Sequence, residues 1–168
     1  MTENMVSLLR LSSVSEIYDI LITFKDVFPK SLDRRVGNLV EYANKLLQNA
    51  KVFVAKKNDC SVGFIAYYVN RPETKFSYLT QIAVHTDYQR QGIARRLVEY
   101  YEDDARNNNF LYSKLEVDAN NISAINLYKN MGYTTSDAAS INTVYMIKSL
   151  SVKDTTLEPD SSVINTIW

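Results

Sequence analysis

The sequence predicts a mixed α/β domain built on one central sheet with helices on both of its faces. Two observations predict it: the order of the hydrophobic patterns, which runs strand, two helices, three strands, helix, strand, helix, strand, and the size of the chain. At 168 residues and 46% hydrophobic content, the chain suits one domain with one sizeable core. We expect that domain to span residues 1 to 150 and residues 151 to 168 to form a polar tail.

The first half of the chain predicts one strand, two helices and a three-stranded meander. Residues 6 to 11 are apolar enough for a strand, and helical spacing then links Ile17, Ile20, Leu21 and Phe24. A second helical pattern after Pro29 places these apolar residues on one face: Val36, Leu39, Val40, Ala43, Leu46 and Leu47. Three β-rich runs follow at residues 51 to 55, 61 to 71 and 76 to 84, with Cys60 in the turn between the first two.

The second half predicts two helices that alternate with two strands. A helical stripe begins at Ile93 and comprises Ala94, Leu97, Val98, Tyr101 and Ala105. Residues 111 to 117 form the next predicted strand, residues 120 to 130 a short helix, and residues 144 to 150 the last strand. A mixed sheet covered on both faces explains this order better than a helical bundle or a sandwich does.

Charge and cysteine content exclude several classes of protein. Lysine plus arginine and aspartate plus glutamate each total 19, so no positive field would concentrate a nucleic acid, and we expect no such partner. The start of the chain is not basic, and Arg10 and Glu16 interrupt its apolar stretch. We therefore expect a cytoplasmic protein with neither a signal peptide nor a membrane span. The single cysteine, Cys60, predicts no internal disulfide, and no metal site is expected.

Residues 82 to 96 carry the first chemical signal, because a buried type of strand leads through a short loop into the start of a helix. A helix N-terminus offers unpaired backbone N–H groups and about half a positive charge, so it can hold a pyrophosphate without a metal. Gly92 lets the backbone come close, and Ala94 keeps the next contact small. Three arginines either add charge to this phosphate site or lie solvated on the helix surface: Arg90, Arg95 and Arg96.

Two motifs in this order resemble the GNAT superfamily of N-acetyltransferases. The hexapeptide Gln89-Arg90-Gln91-Gly92-Ile93-Ala94 is similar to that family's acetyl-CoA loop, Gln/Arg-x-x-Gly-x-Gly/Ala. Residues 121 to 133 are similar to its Asn-x-x-Ala-x-x-Leu-Tyr-x-x-x-Gly-Phe/Tyr motif, with Asn121 and Tyr128 at the matching positions. The resemblance is residue-specific from about residue 79 to residue 133, whereas the first 75 residues match in pattern only.

The resemblance implies a GNAT-like mixed, mostly antiparallel sheet that splays into a cleft between the strand ending at Val84 and the strand ending near Val117. Acetyl-CoA would be the cosubstrate, with its pantetheine arm beside Ile82, Ala83 and Val84, where a bulge would free backbone groups. The Val84 N–H would polarise the thioester carbonyl. The pyrophosphate would lie over the loop and the helix start: Gln89, Arg90, Gln91, Gly92, Ile93, Ala94 and Arg95. Asn121 would either hydrogen-bond the arm or cap its own helix.

Two residues are candidates for proton transfer. By resemblance, the Tyr128 phenol lies at the cosubstrate sulfur and would protonate the departing thiolate; alternatively, its ring only packs under the sheet. Glu116 matches, in its spacing to Tyr128, the base of N-terminal acetyltransferases that modify ribosomal proteins, although a strand-end glutamate also suits an ion pair. Gln81 stands where several relatives carry an acid, and an amide cannot accept the proton. His85, at the strand-to-loop corner, is expected to face solvent.

The resemblance implies an enzyme that transfers an acetyl group from acetyl-CoA to a primary amine by direct attack in a ternary complex. The alternative is a coenzyme-A-binding sensor or regulatory domain that has lost turnover. The acceptor amine, on a small molecule or a peptide, would contact the helical wall or the loop near Pro72, where the candidates are Lys30, Arg34, Arg35, Tyr67, Tyr68 and Arg71. The sequence leaves monomer and homodimer open.

Overall fold

The computed structural model describes residues 5 to 150, apart from the side chains of residues 137 and 138. The predicted tail, residues 151 to 168, lies outside this range. In chain order the elements are β1 (Val6–Arg10), α1 (Val14–Phe24), α2 (Leu32–Val36), α3 (Leu39–Asn49), β2 (Lys51–Lys57), β3 (Cys60–Tyr68), β4 (Phe76–Val84), α4 (Ile93–Asn107), β5 (Tyr112–Asp118), α5 (Ile122–Asn130), β6 (Thr134–Ala138) and β7 (Thr143–Ser149). Short 3₁₀ turns at Pro72–Thr74 and Thr86–Tyr88 flank β4.

Within the described range, seven strands form one sheet in the order β1-β2-β3-β4-β5-β7-β6. Strands β1 to β4 make an antiparallel meander, and β5, β7 and β6 make a second antiparallel unit. The two units meet where β4 pairs with β5, and this pairing is parallel. The sheet is therefore mixed and mostly antiparallel, as the sequence predicted.

Helices cover the sheet on both faces, and alternation along β3 shows which helices lie on which face. Phe64 and Ala66 pack in one core cluster with residues of α1 and α3, whereas Ile65 and Tyr67 pack in a second cluster with residues of α4 and α5. Neighbouring strand residues point to opposite faces, so these two helix pairs lie on opposite sides of the sheet. The loop before α4 consequently belongs to the face that α1 and α3 do not cover.

The region of the second predicted helix contains two helices, α2 and α3, because the first ends at Gly37. Gly37 has a φ of 78°, in the left-handed region that ends helices, and the Asn38 side chain then accepts hydrogen bonds from the N–H groups of Val40 and Glu41 to start α3. The buried stripe of α3 is accordingly narrower than predicted, since Val40 is 48% exposed and Leu47 is 36% exposed.

The sequence prediction missed strand β6 and misplaced two boundaries. Residues 134 to 138 pair only with β7 at the sheet edge and are polar, Thr-Thr-Ser-Asp before Ala, so no apolar alternation marks them. Strand β3 ends at Tyr68 rather than at residue 71. Cys60 is the exposed first residue of β3, and the turn itself is made by Asn58 and Asp59, whose φ angles are 49° and 63°.

A buried hydroxyl network joins the two units of the sheet where they meet. Ser77 of β4 and Ser113 of β5 are register partners, and both contact the Tyr101 hydroxyl of α4, at 2.8 Å and 2.9 Å. Ser113 also contacts the Tyr133 hydroxyl at 2.7 Å. These side chains are buried, so the mutual hydrogen bonds offset the cost of removing their hydroxyls from water. The network fixes the start of the β4–β5 pairing.

Candidate active site

The sheet opens between β4 and β5, as the sequence predicted. Their pairing covers four residues and ends at Leu79 opposite Leu115, although β4 continues to Val84 and β5 to Asp118. Beyond that point both strands line one open cleft of about 660 Å³, with β4 residues 80 to 82 on one side and β5 residues 116 to 118 on the other. The other walls are residues 28 to 30 and 34 to 36, one face of α5 and the β6–β7 hairpin.

A bulge lies in β4 at the point where the cleft begins. Gln81 pairs with Ala66 and Leu79 pairs with Tyr67, which leaves Thr80 as an extra residue. The side chains agree with this register, since the Tyr42 hydroxyl contacts both Gln81 Nε2, at 2.9 Å, and Thr80 Oγ1, at 3.4 Å. In an unbroken strand these consecutive side chains would point to opposite faces.

The bulge and the end of the β5 pairing expose backbone groups of β4 to the cleft. The His85 N–H donates to the Val62 carbonyl at 2.9 Å. Because every second residue of an antiparallel strand bonds to its neighbour, the backbone groups of residues 83 and 81 also point toward β3. By the same alternation, the N–H and C=O groups of Ile82 and Val84 point away from β3, toward the cleft. The Val84 carbonyl accepts a hydrogen bond from Gln89 Nε2 at 3.0 Å, which agrees with this direction. We call residues 80 to 84 of β4 the open edge.

The loop after the open edge presents a row of backbone donors. Arg90 and Gly92 have φ angles of 62° and 80°, and α4 begins directly after them. The N–H groups of residues 90 to 95 have no hydrogen-bond partner among residues 5 to 150, and the next one, of Arg96, donates to the Gly92 carbonyl. Nothing lies within 4 Å of a Cβ built on Gly92, so the space above this residue is free for a ligand. The row therefore suits an anion.

Two of the three predicted arginines, Arg90 and Arg95, lie on the protein surface near this row. Arg95 makes a 3.7 Å ion pair with Glu99 one turn along α4, which matches the alternative of a solvated helix surface. Arg90 is exposed in the loop itself. The positive charge at the N-terminus of α4 therefore comes mainly from the backbone N–H groups, and these two side chains add to it.

Tyr128 lines the cleft from α5. The residue is 5% exposed, its ring meets the Tyr133 ring edge to face at 5.6 Å between centroids, and burial raises the pKa of its phenol above the usual range. Its hydroxyl makes no hydrogen bond within the described part of the chain. Asn121, which starts α5, accepts a hydrogen bond from the Ala124 N–H at 3.2 Å and so caps the helix while also lining the cleft.

Glu116 stands across the cleft on β5. Its Oε1 accepts a hydrogen bond of 2.5 Å from the Thr143 hydroxyl, and its side chain is exposed. Tyr78 lies near it, since burial first and the charge of Glu116 second raise the pKa of the Tyr78 phenol. The structure thus brings Tyr128 and Glu116, the two predicted proton-transfer residues, to the same cleft.

The remaining predicted residues divide between the cleft and other places. Gln81 is 5% exposed and its Nε2 donates a hydrogen bond to the Tyr42 hydroxyl, while its Oε1 has no hydrogen-bond partner among the described residues. The His85 side chain is 40% exposed and its Nδ1 accepts from the Asp87 N–H, so it faces solvent as expected. Tyr67, a predicted contact of the amine substrate, does not reach the cleft. It is buried in the core, and its hydroxyl donates a hydrogen bond to Asp104 at 2.8 Å.

Sequence reasoning missed two side chains that line the cleft, Tyr78 and Thr143, and a third, Tyr42, that contacts the cleft residues Thr80 and Gln81. Thr143 follows the missed strand β6, so nothing in the pattern placed it beside Glu116. Tyr42 reaches the open edge only because the bulge turns Thr80 and Gln81 to the same side. Its one available signal was a tyrosine on the polar side of a predicted amphipathic helix.

Comparison with known proteins decides the family. A family model described as "Acetyltransferase (GNAT) family" matches residues 14–133, which is most of the chain. The chain belongs to this family. The GNAT family is one of acyltransferase enzymes, and its match includes both the loop before α4 and the segment around Tyr128. The predicted family is thereby confirmed.

Individual GNAT relatives share part of the sequence or the whole fold. Over 55 residues the chain is 44% identical to the ribosomal protein bS18-alanine N-acetyltransferase of Escherichia coli (strain K12), covering 33% of this chain and 37% of that protein. The chain thus matches little more than a third of the length of these curated relatives. The crystal structure of the ribosomal-protein-S18-alanine N-acetyltransferase from Escherichia coli has a TM-score of 0.69, 22% identity and coverage of 91% of this chain and 99% of that one.

Another GNAT relative was solved with acetyl-CoA bound. The structure of a GNAT family acetyltransferase from Elizabethkingia anophelis with acetyl-CoA bound has a TM-score of 0.65, 16% identity and coverage of 86% of this chain and 97% of that one. At these identities the structural likenesses show a shared fold, which confirms the predicted fold class. No helix between residues 5 and 150 is long and apolar enough to cross a membrane.

Proposed function

We propose that this chain transfers an acetyl group from acetyl-CoA to a primary amine by direct attack, with both substrates bound at once. The observation that carries the proposal is the continuity of the open edge of β4 with the row of unpartnered N–H groups at residues 90 to 95. An extended ligand with amide groups at one end and a pyrophosphate at the other matches both parts. Acetyl-CoA has that arrangement.

The chain's residues fit acetyl-CoA without a metal. The pyrophosphate would lie on the backbone of the loop and the first turn of α4, which are Gln89, Arg90, Gln91, Gly92, Ile93, Ala94 and Arg95. The pantetheine amides would hydrogen-bond the N–H and C=O of Ile82, beside Ala83, in place of the missing strand partner. The Val84 N–H would then face the thioester carbonyl, where a fixed donor contributes about 3 kcal/mol as charge develops on that oxygen.

Tyr128 would act on the departing sulfur. Burial raises the pKa of its phenol, so the hydroxyl stays protonated at neutral pH, as a donor must. Complete proton transfer from such a phenol to a thiolate with a pKa near 8.5 is uphill. Its hydroxyl therefore serves best as a hydrogen-bond donor that stabilises the thiolate while the carbon–sulfur bond breaks. Asn121 would stabilise the N-terminus of α5, beside the cosubstrate, by capping that helix.

Glu116 would accept the proton of the acceptor amine, directly or through one water. A lysine-type amine with a pKa near 10.4 costs about 4–5 kcal/mol to deprotonate at pH 7, whereas an α-amine with a pKa near 8 costs about 1 kcal/mol. The carboxylate is exposed in the cleft and is held by Thr143, so it is accessible to a bound amine. Gln81, across the cleft on β4, cannot take this role because an amide is not a base at neutral pH.

The test is an acetyl-CoA consumption screen, read as release of free thiol, across peptide, polyamine, amino acid and amino sugar acceptors. Direct attack predicts intersecting initial-rate lines when both substrates are varied, and it predicts full activity in Cys60→Ala, since this exposed thiol has no part in the reaction. Coenzyme A binding without turnover on any acceptor would favour the alternative of a sensor domain. Absence of coenzyme A binding would exclude both.

A further inference from the structure

The two sides of the cleft carry opposite charge. One side holds three cations from residues 28 to 36, namely Lys30, Arg34 and Arg35, which we call the basic wall. The other side holds Glu116 and Asp118 of β5. Because the chain as a whole has 19 basic and 19 acidic residues, this separation is local to the cleft and is not part of a general positive surface.

Among residues 5 to 150, no neighbouring acid forms an ion pair with Lys30 or Arg34 of the basic wall. The side chains of Lys30 and Arg34 are exposed and make no ion pair or hydrogen bond within residues 5 to 150. The adjacent carboxylate of Asp33 accepts a 2.7 Å hydrogen bond from the Ser31 hydroxyl and does not line the cleft. The Arg35 guanidinium lies over the Phe28 ring at 5.1 Å, which restrains it without satisfying its hydrogen-bond donors.

The basic wall also lies on the wrong side of the sheet to bind the pyrophosphate of the cosubstrate. Phe28 and Val36, which flank it, pack against the core cluster of α1 and α3. The row of N–H groups that suits the pyrophosphate starts α4, and α4 packs on the opposite face. The basic wall therefore faces whatever enters the cleft from the α1 and α3 side, which is the acceptor.

We propose that the acceptor is an amine that also carries an anionic group, a carboxylate or a phosphate, which the basic wall binds while the amine points to Glu116. The inference rests on the proposed function and specifies its substrate class. Arginine binds both anions through paired N–H donors, and lysine adds a point charge. The opposite charges of the two sides orient such a substrate, since a reversed pose would place ammonium against the cations and the anion against Glu116.

Matched pairs of acceptor compounds test the proposal and distinguish a small-molecule acceptor from a peptide acceptor. One pair is O-phosphoethanolamine and ethanolamine; the other is two five-residue peptides with a free N-terminal alanine and an amidated C-terminus that differ only in Glu or Gln at positions two and three. We expect a kcat/KM at least tenfold higher for the anionic member of one pair, and the pair that responds identifies a small molecule or a peptide. Equal rates, or preference for the neutral member in both pairs, would overturn the inference and leave the proposed function intact.

Charge-removing variants give the second readout. Arg34→Gln should lower kcat/KM for the anionic member about tenfold, mainly through KM, and Lys30→Gln with Arg34→Gln should reduce the preference to less than threefold. In both variants the loss should be smaller for the neutral member than for the anionic one, and coenzyme A affinity should stay near that of the wild type. The matched control is Lys45→Gln, which removes one exposed charge from α3 outside the cleft and should change nothing. An equal loss in this control would assign the effect to long-range charge and count against a site.

Binding decides the case in which none of the four compounds is acetylated. The same compounds are then titrated into the protein saturated with coenzyme A. Selective binding of an anionic member, lost in Arg34→Gln, would support the anion site while counting against the proposed transfer. Equal binding of anionic and neutral members, or binding of neither, would overturn the inference.

Discussion

The Thr143 hydroxyl donates a 2.5 Å hydrogen bond to Oε1 of Glu116, across the pairing of β5 with β7. Thr143 pairs with Asp118 and Glu116 pairs with Tyr145, so the contact joins diagonal neighbours on one face of the sheet. The contact orients the carboxylate, and Oε2 keeps no hydrogen-bond partner among the residues described. A carboxylate held in this way is suited to receive a proton at a defined position.

If Glu116 is the base, Glu116→Gln should lower turnover by about a hundredfold, because the amide preserves volume but cannot accept a proton. The acidic limb of the profile of rate against pH should change on the same acceptor, and coenzyme A affinity, measured by calorimetry, should not. Thr143→Val is the companion variant: loss of the orienting bond should cost less than loss of the carboxylate. Wild-type rates in Glu116→Gln between pH 6 and 9 would exclude the role.

Tyr128→Phe should lower turnover about tenfold, equivalent to ~1.4 kcal/mol of transition-state stabilisation. Stability and coenzyme A affinity should stay near wild type, because the hydroxyl makes no hydrogen bond within residues 5 to 150 and the ring contact with Tyr133 is kept. Steady-state kinetics under chemistry-limited conditions and urea unfolding measure the two effects. An unchanged turnover would mean that Tyr128 only packs under the sheet.

Gly92→Glu should weaken coenzyme A binding at least about tenfold, since a carboxylate several ångströms from a pyrophosphate repels it by more than ~1 kcal/mol. The added Cβ has room, but the φ of 80° costs roughly 1 kcal/mol for any side chain. Gly92→Ala carries the same backbone cost without the charge and is the matched control. Equal coenzyme A affinity in both folded variants would show that the pyrophosphate binds elsewhere.

Tyr101→Phe should destabilise the fold by roughly 1–3 kcal/mol, because it leaves the buried hydroxyls of Ser77 and Ser113 without a shared partner. The neighbouring Tyr100→Phe is the control, since the Tyr100 ring packs on Phe53 while its hydroxyl makes no hydrogen bond within the described range. Urea unfolding compares the two. Similar free energies of unfolding in both variants would contradict a role for the network.

Much of the fold could be predicted because its long elements have strong periodic patterns. Helix α4 and strands β2 to β4 followed from their apolar spacing, and their order led to a mixed sheet. The break at Gly37 was missed because the apolar pattern runs through it, whereas the helix is ended by a single left-handed residue and the Asn38 cap. Strand β6 was missed because an edge strand of polar residues has no pattern to detect.

The site was predictable where it depends on local sequence and not where it depends on tertiary contacts. The loop around Gly92 and the Tyr128 segment are short motifs; the structure places Tyr128 in the cleft lining and the loop after β4, a strand that also lines the cleft. The basic wall, the Thr143 bond and the unpartnered Oε1 of Gln81 arise from distant segments that only the folded chain brings together. Single residues in that wall could be named as candidates, but their place on one side of the cleft and the absence of counter-ions for Lys30 and Arg34 among residues 5 to 150 could not.

The parallel pairing of β4 with β5 has a consequence for how the chain folds. The β2–β3 hairpin forms from segments that are adjacent in sequence, whereas β4 and β5 can pair only after α4 has crossed between them. Loop closure must therefore precede this contact, and we expect the amides of β2 and β3 to become protected from hydrogen exchange before those at the β4–β5 boundary. The β4–β5 boundary, which opens into the cleft, therefore assembles later than the β2–β3 hairpin on the same sheet.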